Sequence, residues 1–181
     1  MYYDALSTGR PAGKIDLTRP PRNGLEKYVS RYIDEQNSPQ FPFGFGLSYT
    51  TFRYGNLHID RTQMSAKSLN EDLEAREHKQ SAALAASADV TNTGTLAGVE
   101  TVECYLRLQG TSVAQPVRAL TKFQRITLAP GETRKVTFLL GPNAFAIWND
   151  QQKFAVEPAK VTLWIAPDSS QGVQATLEIT K

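Results

Sequence analysis

Cysteine is nearly absent: Cys104 is the only one in 181 residues. A single thiol excludes an intramolecular disulfide and any site built from several thiolates. Histidine is almost as scarce. His58 and His78 leave little imidazole for a metal site or a Ser-His-Asp triad. Charge of one sign is missing too, since 20 Lys and Arg oppose 18 Asp and Glu for a net charge of +2. That balance gives no electrostatic pull toward nucleic acid or an anionic membrane, so neither is expected as a partner. No apolar run approaches the roughly 20 residues that span a bilayer. The opening MYYDALSTGRPAG lacks the basic start and apolar centre of a signal peptide. What is present is 40% hydrophobic and 21% charged residues, the make-up of a globular chain. The length suits one domain with an appendage.

The sequence changes character near residue 50. Residues 1–50 hold five of the ten prolines and five of the twelve glycines. They are also rich in aromatics: Tyr2, Tyr3, Tyr28, Tyr32, Phe41, Phe43, Phe45 and Tyr49. Few alternating apolar stretches appear, so this segment encloses no core of its own, and its rings need another body to pack against. Within it, Leu25, Tyr28, Val29, Tyr32 and Ile33 fit a helical stripe capped by Asn23, yet the same stretch also alternates as an extended chain.

Residues 51–181 read as period-two segments. Leu84, Ala86, Ala88 and Val90 alternate with small or polar residues, and Val102, Cys104, Leu106 and Leu108 with Thr101, Glu103, Tyr105 and Arg107. Val136, Phe138 and Leu140 repeat the pattern, as do Val161, Leu163 and Ile165, then Val173, Ala175, Leu177 and Ile179. Turn chemistry separates them at Asn92-Thr93-Gly94, Ala129-Pro130-Gly131, Gly141-Pro142-Asn143 and Asp168-Ser169-Ser170. Seven or so short strands predict an all-β, antiparallel two-sheet sandwich over 51–181, preceded by the irregular aromatic segment 1–50. The polar run 61–80 is expected as a loop or one short helix.

The joining segment Ser38-Pro39-Gln40-Phe41-Pro42-Phe43-Gly44-Phe45-Gly46-Leu47-Ser48-Tyr49-Thr50 resembles the stretch before the C-terminal domain of glycoside hydrolase family 3, the β-glucosidases and β-xylosidases. Upstream, Tyr2-Tyr3 and Thr8-Gly9-Arg10-Pro11 resemble the end of that family's α/β-sandwich domain. Downstream, Val90-Thr91-Asn92-Thr93-Gly94, Gly98-Val99-Glu100, Leu120-Thr121-Lys122-Phe123 and Leu128-Ala129-Pro130-Gly131-Glu132 resemble its fibronectin type III-like domain. The likeness covers nearly the whole chain, in the family's order, and is nearest the bacterial periplasmic type. It favours the extended reading of 23–35. Ala159 stands where the family usually has a turn glycine.

The resemblance implies a retaining enzyme whose nucleophile and acid/base lie in an N-terminal barrel and an α/β-sandwich domain, neither of them in this chain. It therefore implies no catalytic residue, metal or cofactor here, an enzyme only in its parent form, and a periplasmic or secreted location. Its partners would be those two domains. Tyr2, Arg10, Phe41, Phe43, Phe45 and Tyr49 are the expected contacts with them, and in isolation the rings would favour stickiness or a homodimer. Of the chain's own acids, Asp34-Glu35 and Glu71-Asp72 are adjacent pairs that point apart on a strand and read as solvated. Cys104 reads as a small buried hydrophobe. Trp148 and Trp164 are weighed for sugar stacking, against Trp148 filling the core and Trp164 covering an outer face. The rival reading is a stand-alone carbohydrate- or protein-binding module using the face that bears Tyr105 and Trp164.

Overall fold

The computed structural model describes residues 40–75 and 83–181. The strands are β1 (Phe52–Ile59), β2 (Gln63–Ser65), β3 (Leu84–Asn92), β4 (Gly98–Gln109) and β5 (Ala119–Leu128), then β6 (Thr133–Leu140), β7 (Ala146–Trp148), β8 (Phe154–Val156), β9 (Ala159–Ala166) and β10 (Val173–Thr180). They form a three-stranded sheet β1-β3-β6, a five-stranded sheet β2-β10-β9-β4-β5 and a small β7-β8 hairpin. All pairs are antiparallel except β2 on β10.

The two main sheets face each other across one core, which is the expected sandwich. Leu84, Ala86, Ala88 and Val90 point in from β3, while Val136, Phe138 and Leu140 point in from β6. Opposite them lie Val102, Cys104 and Leu106 of β4 and Val161, Leu163 and Ile165 of β9. Period-two alternation puts these side chains on one face, and their removal from water stabilises the fold by roughly 1.5–3 kcal/mol per large side chain. Cys104 is fully buried, as expected of a small hydrophobe, and burial pushes its thiol up to about 12. β5 does not alternate cleanly, because it borders the open seam between the sheets. There Lys122 Nζ and Gln124 Nε2 donate to the Leu139 and Thr137 carbonyls of β6, each at 2.6 Å.

Three expectations are corrected. β4 and β9 are buried on both faces, so Glu103, Tyr105 and Trp164 do not meet water. Trp148 does not fill the core; its ring is 68% exposed on the β7-β8 hairpin, a short arm outside both sheets. Ala159 occupies no turn. It is the buried first residue of β9, and its φ is not among the positive ones, so no glycine is needed there. The polar run contains β2 and one helix, α1 (Ala66–Glu74), whose N-terminal amide at Ser68 is capped by Ser65 Oγ. Glu71 and Asp72 lie exposed on α1, not on a strand. Tyr2, Arg10, Asp34, Glu35, His78 and the stripe 23–35 lie outside the described residues. His58 is exposed on β1.

Candidate interdomain interface

The outer face of the five-stranded sheet is sealed at one end by the chain's own linker. Register pairs Tyr105 with Trp164, and Trp164 with Gln174. The indole Nε1 of Trp164 donates to Gln174 Oε1 at 2.9 Å, and the Arg118 guanidinium sits 4.4 Å from the indole centroid. Tyr105, Trp164 and Ala166 thus make a second small cluster behind the main core. With Tyr105 at 0% and Trp164 at 7% exposure, no open ring remains for a sugar. The sugar stacking weighed at Trp164, and the binding face of the rival reading, find no open ring there.

The linker reaches this cluster through its backbone. The Phe45 amide bonds the Pro42 carbonyl at 3.0 Å, closing a turn with Gly44 at its third position and φ 85°. A positive φ there is what a type II turn demands, and glycine adopts it without steric cost. A Cβ on Gly44 would also overlap the Glu103 carboxylate. The Phe43 carbonyl accepts from the Ser169 amide at 2.8 Å and from the Tyr105 hydroxyl at 3.5 Å.

Farther along, Thr50 drops into the sandwich between Gly94 and Gly98, where any Cβ would collide with it. Its hydroxyl donates to Asn92 Oδ1 at 2.7 Å. Asn92 is fully buried, and its side chain is used completely. Oδ1 also accepts from the Gly94 amide, and Nδ2 donates to the Leu96 and Leu128 carbonyls at 2.8 and 3.0 Å. Each such group, left unpaired, costs about 1–3 kcal/mol. The linker therefore ends in a buried polar anchor.

Its side chains face the other way. Phe41, Phe43, Phe45, Leu47 and Tyr49 are all exposed, Leu47 at 92% and Tyr49 at 98%, and the Phe41 and Phe45 rings lie 5.0 Å apart. A cleft of about 390 Å³ runs between this segment and the sandwich, with Glu100, Asp168 and Gln171 on its wall. Glu100 accepts from the Tyr54 hydroxyl of the opposite sheet at 2.6 Å. Burial, and then repulsion from Glu103 and Asp168, raise the Glu100 carboxyl although that bond lowers it. Glu103, bonded by the Tyr105 hydroxyl, is likewise raised, first by burial and then by Asp168. Burial also acts to raise Asp168, but bonds from Ser170 and Gln171 prevail and hold it low. Both tyrosines are raised, mainly by burial.

Sequence reading singled out Phe41, Phe43, Phe45 and Tyr49, and the structure gathers them on one segment. It missed Asn92, Thr50 and Glu103, and it placed Tyr105 on an open binding face where the structure buries it under the linker. Asn92 was visible only as a turn residue, although Asn-Thr-Gly beside an aromatic linker was a usable signal. Among the described residues no group of His, Cys, Asp and Glu is arranged to hold a metal ion, and no helix is long and apolar enough to cross a membrane.

Two facing sheets, inward alternation and a strand-rich chain define a fibronectin type III-like β-sandwich, and residues 100–169 match the fibronectin type III-like domain family. The chain is 37% identical over 179 residues to the periplasmic beta-glucosidase of Salmonella typhimurium, covering 99% of itself and 20% of that protein. It is 36% identical to a beta-xylosidase of Formosa agariphila, over 97% of itself and 22% of that protein. Among solved structures, a beta-glucosidase from Listeria innocua in complex with glucose matches 100% of this chain and 22% of its own, at 28% identity and a TM-score of 0.73. The chain thus spans about a fifth of the length of the relatives it matches. It belongs to the C-terminal, fibronectin type III-like portions of glycoside hydrolases of the β-glucosidase type.

Proposed function

We propose that the chain is the C-terminal accessory portion of a periplasmic or secreted family 3 enzyme that hydrolyses terminal β-D-glucosides with retention, and that it has no hydrolytic activity alone. Its work is structural. The linker's backbone is bonded to the sandwich, and its aromatic side chains are left for the enzyme's other domains, the barrel and the α/β-sandwich. The single observation that carries this is the split within Phe41–Tyr49: carbonyl and turn held on the sandwich, rings turned outward. Large apolar side chains in such display mark an interface. Burial of Phe41, Phe43 and Phe45 would contribute roughly 1.5–3 kcal/mol each. Tyr2 and Arg10 extend the same contact in this reading.

The test uses an aryl β-glucoside and the Salmonella relative shortened by its matching part. The purified chain alone should give no turnover, and co-expression with the shortened relative should restore activity. Replacing Phe41, Phe43 and Phe45 by serine should abolish that rescue. Turnover by the chain alone, lost on removal of one of its own carboxylates, would overturn the reading, as would rescue unaffected by the triple replacement.

A further inference from the structure

At the opposite end of the sandwich stands a second aromatic display, built differently. β4 runs 12 residues from the linker end to the far end, roughly 36 Å at a strand rise of about 3.3 Å per residue. The β7-β8 hairpin lies at that far end, beside the loop that follows β4 and just before β9 begins. Trp148 and Phe154 face each other in its register, with ring centroids 5.6 Å apart and planes tilted by 47°. Both rings are exposed.

The hairpin is braced on three sides. At its tip, Asn149 Oδ1 accepts from the Gln151 and Lys153 amides at 3.0 and 2.9 Å, and the Asn149 amide donates to the Lys153 carbonyl. From the helix side, Asn70 makes a strand-like pair of bonds to Val156, amide to Oδ1 and Nδ2 to carbonyl, at 2.8 and 2.9 Å. From below, Ser112 bonds both the Glu157 carboxylate and the Asp150 amide. Two large rings are thus held exposed on a braced arm. Exposed polar side chains at Asp150, Gln151 and Lys153 rim them.

We infer that the Trp148–Phe154 hairpin is a carbohydrate-stacking platform for the pyranose rings of a β-glucan chain. A sugar ring presents axial C–H groups on one face and hydroxyls at its edge. The electron-rich face of an indole suits the first, and a polar rim suits the second. A protein partner would need an apolar area several times that of two rings. Pre-organisation matters here because a small contact leaves little free energy to spend on ordering a loop. The choice of β-glucan as the sugar rests on the β-glucosidase reading; the stacking does not.

The test is a titration of the ¹⁵N-labelled chain with cellotetraose. The chain has two tryptophans, so two indole N–H signals report it. The Trp148 signal should move saturably, with a dissociation constant in the millimolar range. The Trp164 signal, bonded to Gln174, should stay and report the fold. Trp148→Ala should abolish the response of the Asn149–Lys153 amides while leaving the Trp164 signal in place, and Phe154→Leu should weaken binding several-fold. An unmoved Trp148 signal at about 10 mM sugar, tenfold above a millimolar constant, overturns the proposal. Movement with protein concentration alone also overturns it, in favour of self-association. Binding is read without hydrolysis, so this proposal and the enzyme reading fail separately.

Discussion

Leu163 and Trp164 are neighbours on β9, both buried, and they are buried by different things. Leu163 faces the opposite sheet and meets side chains: this is the sandwich core. Trp164 faces outward and belongs with Tyr105 to the surface on which the linker is pinned. The same contrast runs along β4, with Val102, Cys104 and Leu106 inside and Glu103 and Tyr105 outside. Side chains pack on side chains through area alone. A covering made of backbone brings carbonyls and amides that need partners, and here the Tyr105 hydroxyl and the Ser169 amide meet the Phe43 carbonyl. The core is therefore a source of stability, and the outer face is where Phe43 and Gly44 are held.

That contrast makes the largest expected effect an inner one. Leu163→Ala should cost about 2–5 kcal/mol, since its surroundings belong to two sheets that cannot both collapse into the gap. Urea unfolding should show an earlier midpoint with an unchanged slope. Gly44→Ala should cost less, about 1–2 kcal/mol, because it forces a β-carbon into a left-handed turn and against Glu103. Its effect should be local. Hydrogen exchange should quicken at the Ser169 amide, which bonds Phe43, while the β3 and β6 amides keep their protection. If Gly44→Ala lowered protection throughout the core, the outer face would be part of the core and the distinction would fall.

The inner face was legible from the sequence because period-two alternation is its direct signature. The alternation of Leu84 to Val90 and of Val136 to Leu140 places them facing inward by itself. The outer face was not legible. Glu103 and Tyr105 occupy the polar phase of the β4 pattern, and long-range contacts with Phe43, Gly44 and Trp164 remove them from water. Trp148 misled for the converse reason: it looks like core, and register on a separate hairpin keeps it out. The linker aromatics were expected, from their density alone, to need a partner surface, and the structure leaves them exposed. Their anchor was not expected, because a buried Asn92 and a turn Asn92 have the same letters around them. Long-range pairing distinguishes the two, and a local pattern does not record it.

The finest division between the two faces is made by protons. Glu100 sits at the inner end of β4 and Glu103 on its outer face, and both are raised above the ordinary carboxyl value of about 4.3. A raised folded value means that the fold favours the protonated acid. The stability this contributes is complete below the unfolded value and is lost as pH rises through the folded one. Asp168 has the opposite sign: its contribution is present above about 3.9 and lost as pH falls through its lowered folded value. From about pH 4 toward neutrality, the pair Glu100 and Glu103 should therefore make the domain less stable. Glu103→Gln keeps an acceptor for the Tyr105 hydroxyl and removes the charge facing Asp168. It should raise the neutral-pH unfolding midpoint slightly and flatten its fall between pH 4 and 7, while Glu100 retains the remainder. Urea midpoints measured across that range test this directly. An unchanged slope in Glu103→Gln would mean that the linker leaves the outer carboxylate as wet as any surface acid.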